Sequence, residues 1–131
     1  MSARKFTIDP NKPFFVYDTK GDWHAVKIGE YLWDTRGEYI GFVRGETHDV
    51  YTTAGEWVGN LWPDGRIIRK RTYDRPPLLK DRPPKPAKPQ NFPARAPLPP
   101  MCSELGFDKI DVLDWDDEVF KRVSDLVPDM D

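Results

Sequence analysis

Three stretches of this chain repeat one another: Tyr17-Asp18-Thr19-Lys20-Gly21-Asp22-Trp23-His24-Ala25, Trp33-Asp34-Thr35-Arg36-Gly37-Glu38-Tyr39-Ile40-Gly41 and Tyr51-Thr52-Thr53-Ala54-Gly55-Glu56-Trp57-Val58-Gly59. The shared frame is aromatic, Asp or Thr, Thr, any residue, Gly, acid, aromatic, any residue, small. Successive copies start 16 and 18 residues apart, and Trp62-Pro63-Asp64-Gly65-Arg66-Ile67-Ile68 is a shortened fourth copy. Repeats of this kind decide an architecture before single residues do. Gly21, Gly37, Gly55 and Gly65 stand where a tight turn needs positive φ. The Asp or Thr residues ahead of them bond nearby backbone groups and so favour turns. The flanks are aromatic and β-branched, as strands are. Each copy is therefore a β-hairpin unit.

Side chains alternate after each turn. Trp23, Ala25 and Lys27 share one face with Tyr39, Gly41 and Val43 and with Trp57, Gly59 and Leu61. His24, Val26 and Ile28, then Ile40, Phe42 and Arg44, then Val58, Asn60 and Trp62, line the other. Both faces hold apolar residues, so the sheet is expected to be covered on both sides over part of its length. The Ala25, Gly41, Gly59 column predicts a close approach of another backbone or an aromatic ring. Further turns fall near Gly29 and at Gly45 to His48. The expected fold is mainly β: an antiparallel meander of six or seven short strands between Phe14 and Arg71, forming a small barrel or radial sheet.

Beyond it the composition changes. Ten of the 14 prolines lie between Pro76 and Pro100. Such a run excludes helix and central strand and predicts an extended polyproline-II arm. The arm is basic, with ten Lys and Arg between Arg66 and Arg95. From Met101 the sign flips to ten acids against Lys109, Lys121 and Arg122. There Asp114 is a candidate N-cap, Trp115, Val119, Val123 and Leu126 form a stripe, and Pro128 ends it, predicting a short amphipathic helix at about 114–127. The expected divisions are a tail to residue 13, the repeat domain at 14–73, the arm at 74–100 and an acidic tail at 101–131.

The chain has 131 residues and is 38% apolar, below the globular average of about 45–50%. Twelve of the 17 aromatic residues lie between Phe14 and Tyr73, so core material is concentrated in one small domain. A domain of that size buries only about 60% of its unfolded surface and usually needs a staple. Cys102 is the only cysteine, and His24, His48 and Cys102 make no plausible structural zinc set. Oligomerisation, or help from the tails, is left. Met1 to Pro13 lacks the apolar run of a signal peptide, and no stretch approaches the roughly 20 apolar residues of a membrane span; a cytoplasmic protein is expected.

No nucleophile set, phosphate loop or dinucleotide fingerprint is present, so no catalytic, cofactor or metal residue is assigned. His24 and His48 read as packing or surface residues and Cys102 as an inert thiol. Asp22, Glu38 and Glu56 recur after the turns. Set around an axis they would make an oxygen-ligand ring; solvated acids beside turns are the simpler expectation. Candidate partner contacts are the aromatics Trp23, Trp33, Tyr39, Trp57, Trp62 and Trp115, which stack on sugars or bases if exposed and fill a core if not. The arm holds Lys-x-x-Pro-x-x-Pro at Lys80 to Pro86, a pattern that docks in aromatic grooves, and fits equally a spacer or a strap across its own sheet. Nucleic-acid binding through Arg69-Lys70-Arg71 and the arm is disfavoured by the net charge of −2.

The three repeat stretches, from Val16 through Gly59, resemble the bacterial family called the 4-fold β-flower domain. Leu98-Pro99-Pro100 and the acidic Asp108 to Asp116 segment look like the C-terminal extensions some members carry. The resemblance implies a small repeated hairpin domain and brings no known activity and no catalytic residues. A weaker resemblance, to the PRC-barrel, implies a protein-docking role. The reading is a non-enzymatic, self-associating interaction module, partnered by its own copies or another protein. The alternative is a carbohydrate- or nucleic-acid-binding domain using surface aromatics.

Overall fold

The computed structural model describes residues 7–9 and 11–121. Seven strands follow one another through the repeats: β1 (Phe14–Tyr17), β2 (Trp23–Ile28), β3 (Tyr31–Asp34), β4 (Tyr39–Arg44), β5 (Asp49–Thr52), β6 (Trp57–Leu61) and β7 (Ile67–Lys70). An eighth, β8 (Lys109–Asp111), returns after the proline-rich arm and leads into a one-turn helix, α1 (Val112–Trp115). The strands pair antiparallel in sequence order as one sheet, a meander curled into a half-barrel.

The repeat in sequence is a repeat in hydrogen bonding. The N–H groups of Asp18, Asp34, Thr52 and Trp62 donate to the carbonyls of Asp22, Glu38, Glu56 and Arg66 at 2.8–3.0 Å. Gly21, Gly37, Gly55 and Gly65 donate back across each turn at 2.9–3.0 Å. All four glycines have φ between +85° and +92°, which a Cβ would strain. The Asp and Thr side chains act as the sequence suggests. Asp18 accepts from the Asp22 N–H at 3.0 Å, Asp34 from Glu38 at 2.9 Å, and Thr52 Oγ1 from Glu56 at 3.2 Å.

Each full copy also carries a β-bulge at one place. The register shifts at Val16/Tyr17, Leu32/Trp33 and Val50/Tyr51, so His24, Ile40 and Val58 are skipped by the ladder. Bulges bend a strand and increase its twist, and a bend repeated every hairpin curls the sheet. The curl brings the first strand to the last turn, where the Tyr17 N–H donates to the Gly65 carbonyl at 2.9 Å. The concave side holds the core: Val16, Ala25, Leu32, Val43, Val50, Leu61 and Ile67. The close approach expected at the small-residue column is present. A Cβ on Gly41 would overlap the Tyr51 carbonyl and touch the Phe120 ring, and one on Gly59 would stand 2.9 Å from the Ile68 carbonyl oxygen.

The C-terminal helix differs from its expectation. It spans Val112–Trp115, capped by Asp111, whose carboxylate accepts from the Leu113 N–H at 3.2 Å. Pairing of Ile110 with Arg69 fixes the register of this segment. It drives Val112, Leu113 and Val119 into the mouth of the half-barrel and turns Trp115 outward. Residues 116–121 are turns and irregular backbone, and Val123, Leu126 and Pro128 lie outside the described residues. The segment from 109 to 119 thus completes the core of the repeats.

Candidate interaction surfaces

The arm is a strap. From Pro76 to Leu105 the half-covered residues recur almost every third position: 76, 78 and 79, 83, 86, 89, 92 and 93, 96, 99, 102, 105. Three residues per turn is the polyproline-II period, so one ridge of the arm faces the domain and two face outward. The ridge passes the turns in reverse order. Leu79 N–H donates to the Gly55 carbonyl at 2.8 Å, and Arg82 donates to the Ala54 carbonyl at 3.2 Å. Next, Lys88 lies against Gly37 and Phe92 against the Trp33 ring, with centroids 6.4 Å apart. Tyr17 Oη then donates to the Pro97 carbonyl at 2.6 Å, and Pro99 covers Gly21. The absent Cβ matters most at Gly55, where one would stand 2.5 Å from the Leu79 carbonyl oxygen.

The strap ends on a buried polar cluster. Arg66 is fully buried. Its Nε donates to Asp64 at 2.9 Å, Nη1 to Thr19 Oγ1 at 3.2 Å and Nη2 to the Ser103 carbonyl at 3.0 Å. Thr19 in turn donates its N–H and hydroxyl to Asp111 at 2.6 and 2.7 Å. One cluster therefore ties the first turn, the fourth turn, the end of the arm and the end of β8. Burial pushes the Asp111 carboxyl above its ordinary value, although the Thr19 bonds favour its charge. Burial also pushes the Cys102 thiol up, against the opposing pull of Arg66. Sequence reasoning counted Arg66 with the basic arm. The signal it missed is that Arg66 stands where the other copies hold Asp22, Glu38 and Glu56.

The repeat aromatics are spent on the fold. Trp33 is buried between Tyr39 and Phe92, and its indole N–H is buried without a partner. Trp23 is half-covered, donates to its own Ala25 carbonyl at 2.8 Å and packs edge-on against Phe15. Trp57 donates to Asp49 at 3.1 Å and lies on Tyr73, while Tyr39 sits between Tyr31 and Trp33. Trp62 is half-covered beside Met101. Of the six aromatics singled out as partner contacts, only Trp115 is exposed.

Exposed apolar surface lies elsewhere. Leu98 (93%), Met101 (99%), Phe107 (93%) and Trp115 (65%) are the large apolar side chains in solvent among the described residues. All four fall between Leu98, in the last part of the strap, and Trp115, the last residue of α1. The Arg71 guanidinium is 5.8 Å from the Phe107 ring centre and 5.4 Å from that of Trp115, and its Nε donates to the Phe107 carbonyl at 3.2 Å.

His24, skipped by the ladder, has its Nε2 2.9 Å from Asp18. Burial pushes the Asp18 carboxyl up, but the His24 and Asp22 hydrogen bonds and the His24 and Lys20 charges outweigh it and hold it below its ordinary value. His24 also lines an open cleft of about 360 Å³ with Trp23, Asp34, Asp117 and Phe120. Asp22 and Glu38 are exposed, and Glu56 pairs with Arg75 at 2.9 Å. Among the described residues no group of three or more His, Cys, Asp or Glu side chains is placed to hold a metal ion, and no helix is long and apolar enough to cross a membrane. No family model matches the chain, and no curated protein or solved structure is significantly similar to it.

Proposed function

We propose that the chain is a non-enzymatic assembly module that associates with its own copies. The observation that supports this reading is that, among the described residues, the exposed large apolar side chains all fall within 98–115, while the aromatics of the repeats are buried or half-covered. Exposed apolar surface, where it gathers, marks a site of protein contact. The half-barrel, the strap and the tail act as one platform that presents this surface. The four equivalent turns also support the resemblance to the 4-fold β-flower family. Light scattering on a sizing column tests the reading. The expected result is a mass above 15.2 kDa that falls on dilution; a monomer at every concentration overturns it.

A further inference from the structure

We infer that the groove across the turns, at Trp33, is a recognition site for a partner's polyproline-II segment, and that the centre of this chain's own arm fills it until that segment arrives. The inference goes beyond self-association, since it concerns other residues and a ligand of different chemistry.

The arm itself shows what chemistry the groove takes. Its inward residues recur almost every third position, the polyproline-II period, and it passes Gly55, Gly37 and Gly21 in turn. Grooves that take such segments are lined by aromatic rings, and tyrosine and tryptophan add one polar tip to an apolar ring. The first aromatic of the repeat frame meets the arm in this way twice. Tyr17 Oη donates to the Pro97 carbonyl at 2.6 Å. Trp33, its counterpart in the second copy, meets the arm at Phe92, with ring centres 6.4 Å apart. Its indole N–H, however, is buried with no partner. Trp33 is only 3% exposed, so solvent does not meet that donor.

The arm is irregular and lightly held at this point. Gln90 and Asn91 form a turn, and the inward ridge slips from Pro89 to both Phe92 and Pro93. On either side the arm is pinned: Leu79 and Arg82 bond to the third turn, and the Pro97 carbonyl to Tyr17. Between the pins, among the described residues, no hydrogen bond joins 83–96 to the repeats. Packing of Lys88 on Gly37 and of Phe92 on Trp33 holds the centre. The centre can therefore lift while both ends stay. A buried donor left unmet is costly, and a ligand that carries a carbonyl past Trp33 removes that cost where the resident arm does not. A proline-rich segment of a partner suits the task. It runs through without a turn and is already extended before it binds, so it loses little entropy. The resident arm lowers the apparent affinity by the fraction of time it leaves the groove closed.

The test is titration of the full, nitrogen-15-labelled chain with a decaproline peptide, read from the indole resonances of its five tryptophans. Trp33→Phe identifies the Trp33 signal. A Phe92→Ala variant, which removes the arm's ring from Trp33, is titrated alongside. Near-ultraviolet circular dichroism reports that each chain is folded, and Phe92→Leu serves if alanine disturbs the fold. The peptide is expected to shift the Trp33 resonance and to bind the Phe92 variant at least about tenfold more tightly than the native chain. Binding that leaves the Trp33 resonance unmoved overturns the groove, as does no binding to the folded Phe92 variant at millimolar peptide. Equal affinity for the native chain and the Phe92 variant overturns the arm as resident occupant. Molecular mass does not enter the readout, so self-association stands or falls separately.

Discussion

Replacing Gly55 with alanine strains the turn and lifts the strap, and two other glycines separate the two effects. Gly29 has φ +63° and open space where a Cβ would be; Gly37 has φ +85° and meets only the flexible end of Lys88; Gly55 has φ +89° and meets the Leu79 backbone. A left-handed conformation costs a residue with a Cβ about 1–2 kcal/mol. Gly29→Ala is therefore expected to lose that amount alone. Gly37→Ala adds little, because Lys88 can swing away. Gly55→Ala must also displace the arm, breaking the Leu79–Gly55 backbone bond and the Arg82–Ala54 bond. At about 1 kcal/mol for each bond, its total loss is about 3–4 kcal/mol. Urea denaturation reads the three losses. Trypsin cleavage after Lys80, the one Lys or Arg between Pro76 and Pro89 not followed by proline, reads the strap directly under native conditions and is expected to speed up in Gly55→Ala alone. Equal losses at Gly29 and Gly55 with unchanged cleavage would refute the docking of the arm on the turns.

Arg66→Met leaves Asp64 without its cation and the Ser103 carbonyl without its donor, and is expected to cost about 3–5 kcal/mol in chemical denaturation. The Asp64→Leu/Arg66→Met double variant should recover much of that loss. Asp111 and Asp18 give opposite pH dependences. The raised Asp111 makes the folded state hold its proton more tightly, so its contribution is greatest below the unfolded carboxylate pKa of about 4 and is lost as pH rises through the folded value. Native stability relative to Asp111→Asn should therefore decline with rising pH above about 4. The lowered Asp18 contributes above the unfolded value and loses that contribution as pH falls through the folded one. Native stability relative to Asp18→Asn should accordingly fall on acidification below about pH 4. Cys102, with its thiol pushed up by burial, should react with a disulfide reagent at neutral pH more slowly in the folded chain than in urea.

The strands were legible because the turn chemistry repeats: Gly21, Gly37 and Gly55, each four residues after an aromatic, and Gly65, three after Trp62, leave little choice of hairpin register. The polyproline-II arm was legible from its prolines, but not its destination, since contacts such as Leu79 with Gly55 and Phe92 with Trp33 join positions distant in the chain. β8 escaped because Lys109-Ile110-Asp111 holds one apolar residue and earns its place by pairing with β7 across the whole arm. The helix was set too late because Trp115 and Val119 share a helical stripe. Burial of Val112 and Leu113 took the inward positions and left Trp115 on the surface. The bulges were hidden in plain alternation, which assigns His24, Ile40 and Val58 an ordinary ladder place. Arg66 was hidden by its neighbours, since a basic residue beside a basic arm reads as solvated until its acidic counterparts in the other copies are set against it.

Hydroxyl-radical footprinting of the full chain, dilute and concentrated, reads self-association residue by residue, because one sample reports every aromatic and methionine at once. Met101, Phe107 and Trp115 are expected to gain protection on concentration, with Trp23, Trp33 and Trp57 unchanged. Protection that appears instead at the repeat aromatics, or no change at Phe107 and Trp115, would contradict it.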